Sequence, residues 1–234
     1  MAEEDYLFRE AREEEMNDVI SLISEHFVPE ATLIRSYMLN LENKDPSRLH
    51  EFLKFKSELA VLMISQMTSI VAIHKSSNKS VGHLGLLIHE NKAQKDAVIS
   101  SSEEKSSLSG FKILSEFQYH LSTLTKKSDL YDCFPNATKL TRLGILAVHR
   151  NHRKRGLSEK LLRKGLEWAK LNGSEVAHGT FTSWVSERVA DKVGLATVKE
   201  YDLRDPKDSS GSPIFAIVDQ NNLVSVKASF LTDI

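Results

Sequence analysis

Apolar positions along this chain switch between two spacings, and each switch marks the edge of an element. Tyr6–Glu10 reads as a short strand. Val19, Ile20, Ile23 and Phe27 recur at helical intervals across Met16–Phe27. Pro29 interrupts that pattern, and Leu33, Ile34, Met38 and Leu41 restart it across Ala31–Leu41. Ser47, just after Pro46, is placed to cap a further helix running towards Met67. Two β-rich runs, Ser69–His74 and Val81–Ile88, flank Ser-Ser-Asn-Lys-Ser, which is a hairpin signal. Asn91–Ser109 is polar and serine-rich, as expected of a loop or a weakly ordered helix tip. Phe111–Leu130 returns to helical spacing, with Ile113, Leu114, Phe117, Leu121 and Leu124 on one side.

The second half is more sharply patterned. Leu140–Val148 reads as a buried strand. Leu157–Leu171 reads as an amphipathic helix with Leu157, Leu161, Leu162, Leu166 and Ala169 facing inward. Glu175–Phe181 is expected as a strand, Ser183–Lys192 as a short helix, and Ala196–Tyr201 and Pro213–Val218 as the last two strands. This mixture of elements implies an α/β fold in which helices cover a central sheet. No internal repeat or boundary divides residues 1–234, so a single domain is expected.

Composition removes several function classes. Among 234 residues, 31 Lys and Arg nearly balance 32 Asp and Glu, so global charge gives no sign of nucleic-acid binding. Positive charge is instead local, concentrated in His149–Arg155, which suits a small polyanion. The single cysteine, Cys133, rules out an internal disulfide framework and suits a reducing compartment. The first residues are acidic and lack an apolar signal core, and no apolar run is long enough to span a membrane. A cytoplasmic location is therefore expected. His83, His89, His149, His152 and His178 show no paired metal spacing, and no metal site is expected.

The cationic run ends in Arg153-Lys154-Arg155-Gly156-Leu157-Ser158, between the strand and the amphipathic helix. Glycine at such a junction lets the backbone approach a ligand, and the first helical N–H groups attract anions. A Walker loop and a Gly-x-Gly-x-x-Gly turn are both absent. What remains is Arg/Gln-x-x-Gly-x-small, matched by Arg153, Gly156 and Ser158; a plain basic surface turn would also contain these residue types.

That pattern resembles the coenzyme A pyrophosphate loop of the GNAT superfamily of N-acetyltransferases. Four further segments are similar to the branch containing the insect arylalkylamine N-acetyltransferases and their nematode relatives. Phe27-Val28-Pro29-Glu30 is similar to its Phe-x-x-Glu element, and Lys127-Ser128-Asp129-Leu130-Tyr131 to its Lys-x-Asp-Leu-Phe helix end. Thr182–Val189, followed by Lys192-Val193-Gly194-Leu195, is similar to its serine-rich turn and helix. Asp208–Phe215 is similar to its acidic stretch ending Gly-x-Pro-Ile-Phe. The likeness runs from Tyr6 to about Val218. It departs where many superfamily members carry a general-acid tyrosine, a position held here by Ala190, and where a Gly-Phe pair is Gly194-Leu195.

The resemblance implies a GNAT fold: a central mixed, twisted sheet flanked by helices, with acetyl-CoA held at a splayed strand and the strand-turn-helix loop. It implies acetyl transfer to a primary amine by direct attack in a ternary complex. Glu30 would be the general base. Leu146 or Ala147 would offer an oxyanion N–H at the end of the strand, with Val148 beside the pantetheine. Arg153, Lys154, Arg155, Gly156, Leu157 and Ser158 would seat the pyrophosphate, and Ser186 and Thr182 would attend the leaving sulfur. Glu30 can equally be a carboxylate opening a helix, and Thr182 with Ser183 can equally cap one. His120 and Trp184 are candidates to line the acceptor pocket. The acceptor implied is an arylalkylamine of the dopamine, serotonin or tyramine type. Polyamines, amino acids, peptides and longer acyl donors stay open, as does a catalytically silent acyl-CoA-binding module.

Overall fold

The structure, a computed structural model, describes residues 5–40, 47–89, 130–208, 210–216 and 222–233. Among the described residues seven strands form one sheet: β1 (Tyr6–Glu10), β2 (Ser69–His74), β3 (Lys79–His89), β4 (Leu140–Val148), β5 (Val176–Phe181), β6 (Ala196–Asp202) and β7 (Leu223–Phe230). Their spatial order is β1-β2-β3-β4-β5-β7-β6. Only β4 and β5 run parallel, and all other neighbours are antiparallel. The helices are α1 (Met16–Leu22), α2 (Thr32–Asn40), α3 (Ser47–Ser65), α4 (Leu157–Leu171) and α5 (Trp184–Lys192). A short helical turn, Leu130–Cys133, precedes β4.

Two apolar clusters sit on opposite faces of the sheet. One joins Val19, Ile34, Tyr37, Phe52 and Ile64 to Val71, Ile145 and Val226, beneath the N-terminal helices. The other joins Leu157, Leu161, Leu162 and Leu166 of α4 to Ala72, Leu84, Leu86 and Leu143. The expected inward face of α4 is the buried one. Gly165 lets this helix lie close to the sheet, since a Cβ there would come within 2.5 Å of Leu84 Cδ2. Each fully buried leucine of this set contributes roughly 1.5–3 kcal/mol.

The main correction lies at the C-terminal end. Pro213–Val218 is not a strand over its described residues: Pro213 forms an isolated bridge with Lys207, and Phe215 is a buried plug against Tyr37. The backbone of Ala216 bonds to Ser36 of α2 rather than to a ladder. The seventh strand is instead Leu223–Phe230, beyond the last expected strand. The expected Met16–Phe27 helix is α1 followed by a π-helical turn, Ile23–Phe27, and a 3-10 turn, Val28–Glu30. Asn91–Ser109, most of Phe111–Leu130, His120 and the Lys127–Asp129 part of the similarity fall outside the described residues.

His83 on β3 is fully buried, with Nε2 3.2 Å from Ser69 Oγ. Burial pushes its pKa from 6.5 down to about 4. The folded state therefore keeps this ring neutral where the unfolded chain would protonate it. Its contribution is fully present above about pH 6.5 and is lost as pH falls through about 4. Acidification over that window is expected to remove roughly 3 kcal/mol of stability. Denaturant titrations at pH 7 and pH 4 should show a drop that is much smaller in His83→Gln. An equal drop in both proteins would contradict the assignment.

Candidate active site

β4 pairs with β5 only from Leu140↔Val176 to Leu143↔Gly179 and then parts from it. The cause is on the other edge of the same strand. Between Leu143↔Leu86 and Leu146↔Leu84, two residues, Gly144 and Ile145, oppose the single Gly85. Such a bulge increases local twist and swings a strand away from a flat neighbour. Gly144 suits it, since a Cβ there would sit 3.1 Å from Gly85 O.

Beyond the bulge, one edge of β4 faces the gap. His149 N–H donates to Val81 O at 2.9 Å, and the register pairs His83 with Ala147. Strand alternation then turns the N–H of Ala147 towards β3 and those of Leu146 and Val148 into the gap. The Val148 carbonyl shares this outward orientation and accepts from Arg153 Nε at 3.1 Å. The gap between β4 and β5 thus has a main-chain lining.

The loop that follows is shaped for close approach. Lys154 and Gly156 have φ of 60° and 77°, in the left-handed region. Gly156 is the N-cap of α4, and no side chain caps this helix start. The first intrahelical bond runs from Lys160 N–H to Gly156 O at 3.1 Å, leaving the preceding helical N–H groups directed outward. Arg153, Lys154, Arg155, Gly156, Leu157 and Ser158 therefore occupy one strand-to-helix turn at the open edge of β4.

Glu30 lies against this turn. Arg153 Nη1 donates to Glu30 Oε2 at 2.6 Å, Arg153 Nη2 donates to His26 O at 3.2 Å, and Arg150 Nη2 is 3.6 Å from Glu30 Oε1. The guanidinium and the carboxylate are each 40% exposed, so the pair is worth at most about 1 kcal/mol and exchanges readily. The pairing joins residues 123 positions apart, and no sequence signal pointed to it.

At the end of β5, Ser183 caps α5. Its Oγ accepts from Ser186 N–H at 3.3 Å, while Ser186 Oγ donates to Ser183 O at 2.8 Å and accepts from Ser183 N–H at 3.3 Å. Ser186 Oγ is thus tied into the cap, bonded to Ser183 O and 3.0 Å from Ser183 Oγ. Thr182, half-buried just after β5, has no such engagement among the described residues. Trp184 is 58% exposed on the first turn of α5.

Beside the turn lies a cleft of about 320 Å³ that includes Asp18, Glu25, His26, Lys79, His149 and His152. The rings of His26 and His149 are 4.2 Å apart, and His152 bonds to Tyr6 Oη at 2.9 Å. Burial, followed by neighbouring cations and imidazoles, holds His26 and His152 below the usual histidine pKa. No group of His, Cys, Asp and Glu among the described residues has the geometry to hold a metal ion.

The sequence profile of the acetyltransferase (GNAT) family matches residues 35–183, well over half of the chain. The chain belongs to that family. It is an acetyl-CoA-dependent N-acetyltransferase, and its seven-stranded open sheet with flanking helices is the GNAT fold. No curated protein sequence matches the chain significantly. Among solved structures, this GNAT protein is similar to arylalkylamine N-acetyltransferase 2 from Aedes aegypti. The TM-score is 0.77 at 21% identity, covering 97% of this chain and 99% of that one. It is also similar to a mosquito arylalkylamine N-acetyltransferase-like 5b (TM-score 0.73, 22% identity, 96% and 99% covered). A third likeness is to the Drosophila melanogaster polyamine N-acetyltransferase that forms N-acetylagmatine (0.74, 17%, 97% and 100%). At these identities the likenesses establish the GNAT fold. No helix among its described residues is long and apolar enough to cross a membrane.

Proposed function

We propose that this acetyltransferase moves the acetyl group of acetyl-CoA directly onto a small primary amine, of arylalkylamine type, with Glu30 as general base. The observation that carries this reading is the Glu30 carboxylate, placed 2.6 Å from Arg153 at the mouth of the β4–β5 gap. Arylalkylamine and agmatine-forming enzymes of the same fold supply the acceptor class.

An alkylammonium has a pKa near that of lysine, about 10, so a proton must leave before attack. Glu30 accepts it, directly or through water. The amine then attacks the thioester carbonyl, and the Leu146 N–H receives the oxyanion. One such preorganised donor is worth roughly 3–4 kcal/mol. Collapse breaks the C–S bond and expels the coenzyme thiolate, which takes up the second proton lost by the attacking nitrogen. Arg153 has two claimants, Glu30 and the incoming pyrophosphate, so coenzyme binding draws the guanidinium away and leaves the carboxylate free for the amine.

Transfer is direct in this reading because the exposed Ser77–His74 pair lies on the β2–β3 hairpin, on the other side of β4 from the gap. Ser69 contacts His83, but both are fully buried. Thr182 is the hydroxyl available to the sulfur, because Ser186 is tied into the cap. Thr182→Val should lower kcat, by less than about tenfold because a thiolate of pKa near 8.5 needs little help. Ser186→Ala should instead cost about 1 kcal/mol of stability. Urea denaturation and initial rates separate the two; a larger kcat loss in Ser186→Ala would reverse the roles.

A panel of arylalkylamines, polyamines, amino acids and peptides, assayed by thiol release from acetyl-CoA, tests the acceptor. Highest kcat/KM for an arylalkylamine is expected. Preference for a polyamine or peptide would replace the acceptor class while leaving the chemistry intact. The same protein is expected in the cytoplasm, where acetyl-CoA and reduced Cys133 are compatible; fractionation of the native host checks this.

A further inference from the structure

We infer that Lys227 is a positioning residue for acetyl transfer: it holds α5 in register so that the Thr182–Ser186 turn faces the thioester end of the coenzyme. This rests on the active-site reading above. β7 alternates along its length, with Val224, Val226 and Ala228 facing the cluster under the N-terminal helices. Ser225 and Lys227 face α5 instead, and they are 1% and 5% exposed. Ser225 Oγ donates to Glu187 Oε1 at 2.6 Å. Lys227 Nζ donates to Asp191 Oδ1 at 2.7 Å and to Thr197 Oγ1 at 2.7 Å. Glu187 and Asp191 are about one helical turn apart, and Ser225 and Lys227 are one strand repeat apart. The two ties therefore match across the helix–sheet contact.

Apolar packing does only part of this holding. α5 has nine residues, too few to be stable alone, and Ala190 is its only buried residue. Ala190, half-buried Val189 and the C-cap Val193 give α5 a small apolar footing, and the two bonds at fixed spacing hold it against rotation and sliding. A buried ammonium is a costly way to attach a helix, because methionine would fill similar volume without desolvating a charge. Register, rather than stability, is what the charge adds. The far end of α5 is referenced to the coenzyme helix as well. Arg163 Nη2 donates to Lys192 O at 2.8 Å and also to Glu159 Oε1, in the first turn of α4, at 3.0 Å.

The test compares Lys227→Met and Asp191→Asn with the wild-type protein, well below the thermal midpoint. Lys227→Met is expected to keep its thermal midpoint and its CoA dissociation constant while kcat falls about fivefold, no further than in Thr182→Val, because the hydroxyl it positions is misplaced. The Asp191 side chain is 57% exposed, so the amide that replaces its carboxylate is well solvated and folding is preserved. Asp191→Asn should still lower kcat about threefold, with the double variant no worse than Lys227→Met alone. Wild-type kcat in Asp191→Asn, or rate losses that only track a falling midpoint, would overturn the assignment. A wild-type protein inactive on every amine would sink the active-site reading and this inference with it. An active wild type with unaffected variants would sink this inference alone.

Discussion

Glu30→Ala is expected to lower kcat by about 10²- to 10⁴-fold, the range for loss of a positioned general base. Coenzyme affinity should stay unchanged or rise slightly. This second half of the expectation comes from the ion pair: the carboxylate holds Arg153 Nη1 at 2.6 Å, and its removal frees a cation for the pyrophosphate. The residual rate should depend on pH in a distinctive way. Without the base, only amine already deprotonated in solution can react, and that fraction grows about tenfold per pH unit up to about pH 10. The variant's deficit should therefore be greatest at low pH and shrink as pH rises. Stopped or steady-state rates from pH 6 to 10, paired with calorimetry of CoA, read both effects. Loss of CoA affinity with kcat intact would make Glu30 a structural residue of the helix start.

Gly156→Val should weaken CoA binding about tenfold to a hundredfold. At φ of 77° a β-branched residue is strained, at a cost of about 1–3 kcal/mol. The relief of that strain would rotate the adjoining N–H groups away from the diphosphate. Steric clash is not the cause, because nothing lies within 4 Å of a Cβ built at this position. The variant should therefore fold normally, and kcat at saturating acetyl-CoA should change far less than KM. Gly156→Ala should show the same trend more weakly. Unchanged KM in both variants would remove the seat from this turn.

The parts of this molecule that follow from local chemistry were legible in the sequence. β4 and α4 begin and end where the apolar pattern and the intervening glycine placed them, at Leu140–Val148 and Leu157–Leu171. β7 was equally legible, since Val224, Val226 and Ala228 alternate with Ser225, Lys227 and Ser229 as in a half-buried strand, although no strand is expected there above. The run Pro213–Ala216, by contrast, misled. Its apolar residues report burial, and burial does not distinguish a strand from the Phe215 plug against α2. In the site, the glycine turn and Glu30 could be picked from residue type and resemblance. Their meeting could not, because the Arg153–Glu30 pair depends on the irregular turns Ile23–Phe27 and Val28–Glu30, which no periodicity encodes. A cap at the start of α5 was expected from Thr182 with Ser183; the structure gives it to Ser183, with Ser186 as its unexpected partner.

Calorimetric titration of CoA into the wild-type, Gly156→Val and Glu30→Ala proteins tests the central claim most directly. Saturable one-to-one binding is expected in the wild type, weakened about tenfold or more in Gly156→Val and not weakened in Glu30→Ala. No binding to the wild type, or one affinity shared by all three proteins, would contradict the coenzyme seat at the end of β4.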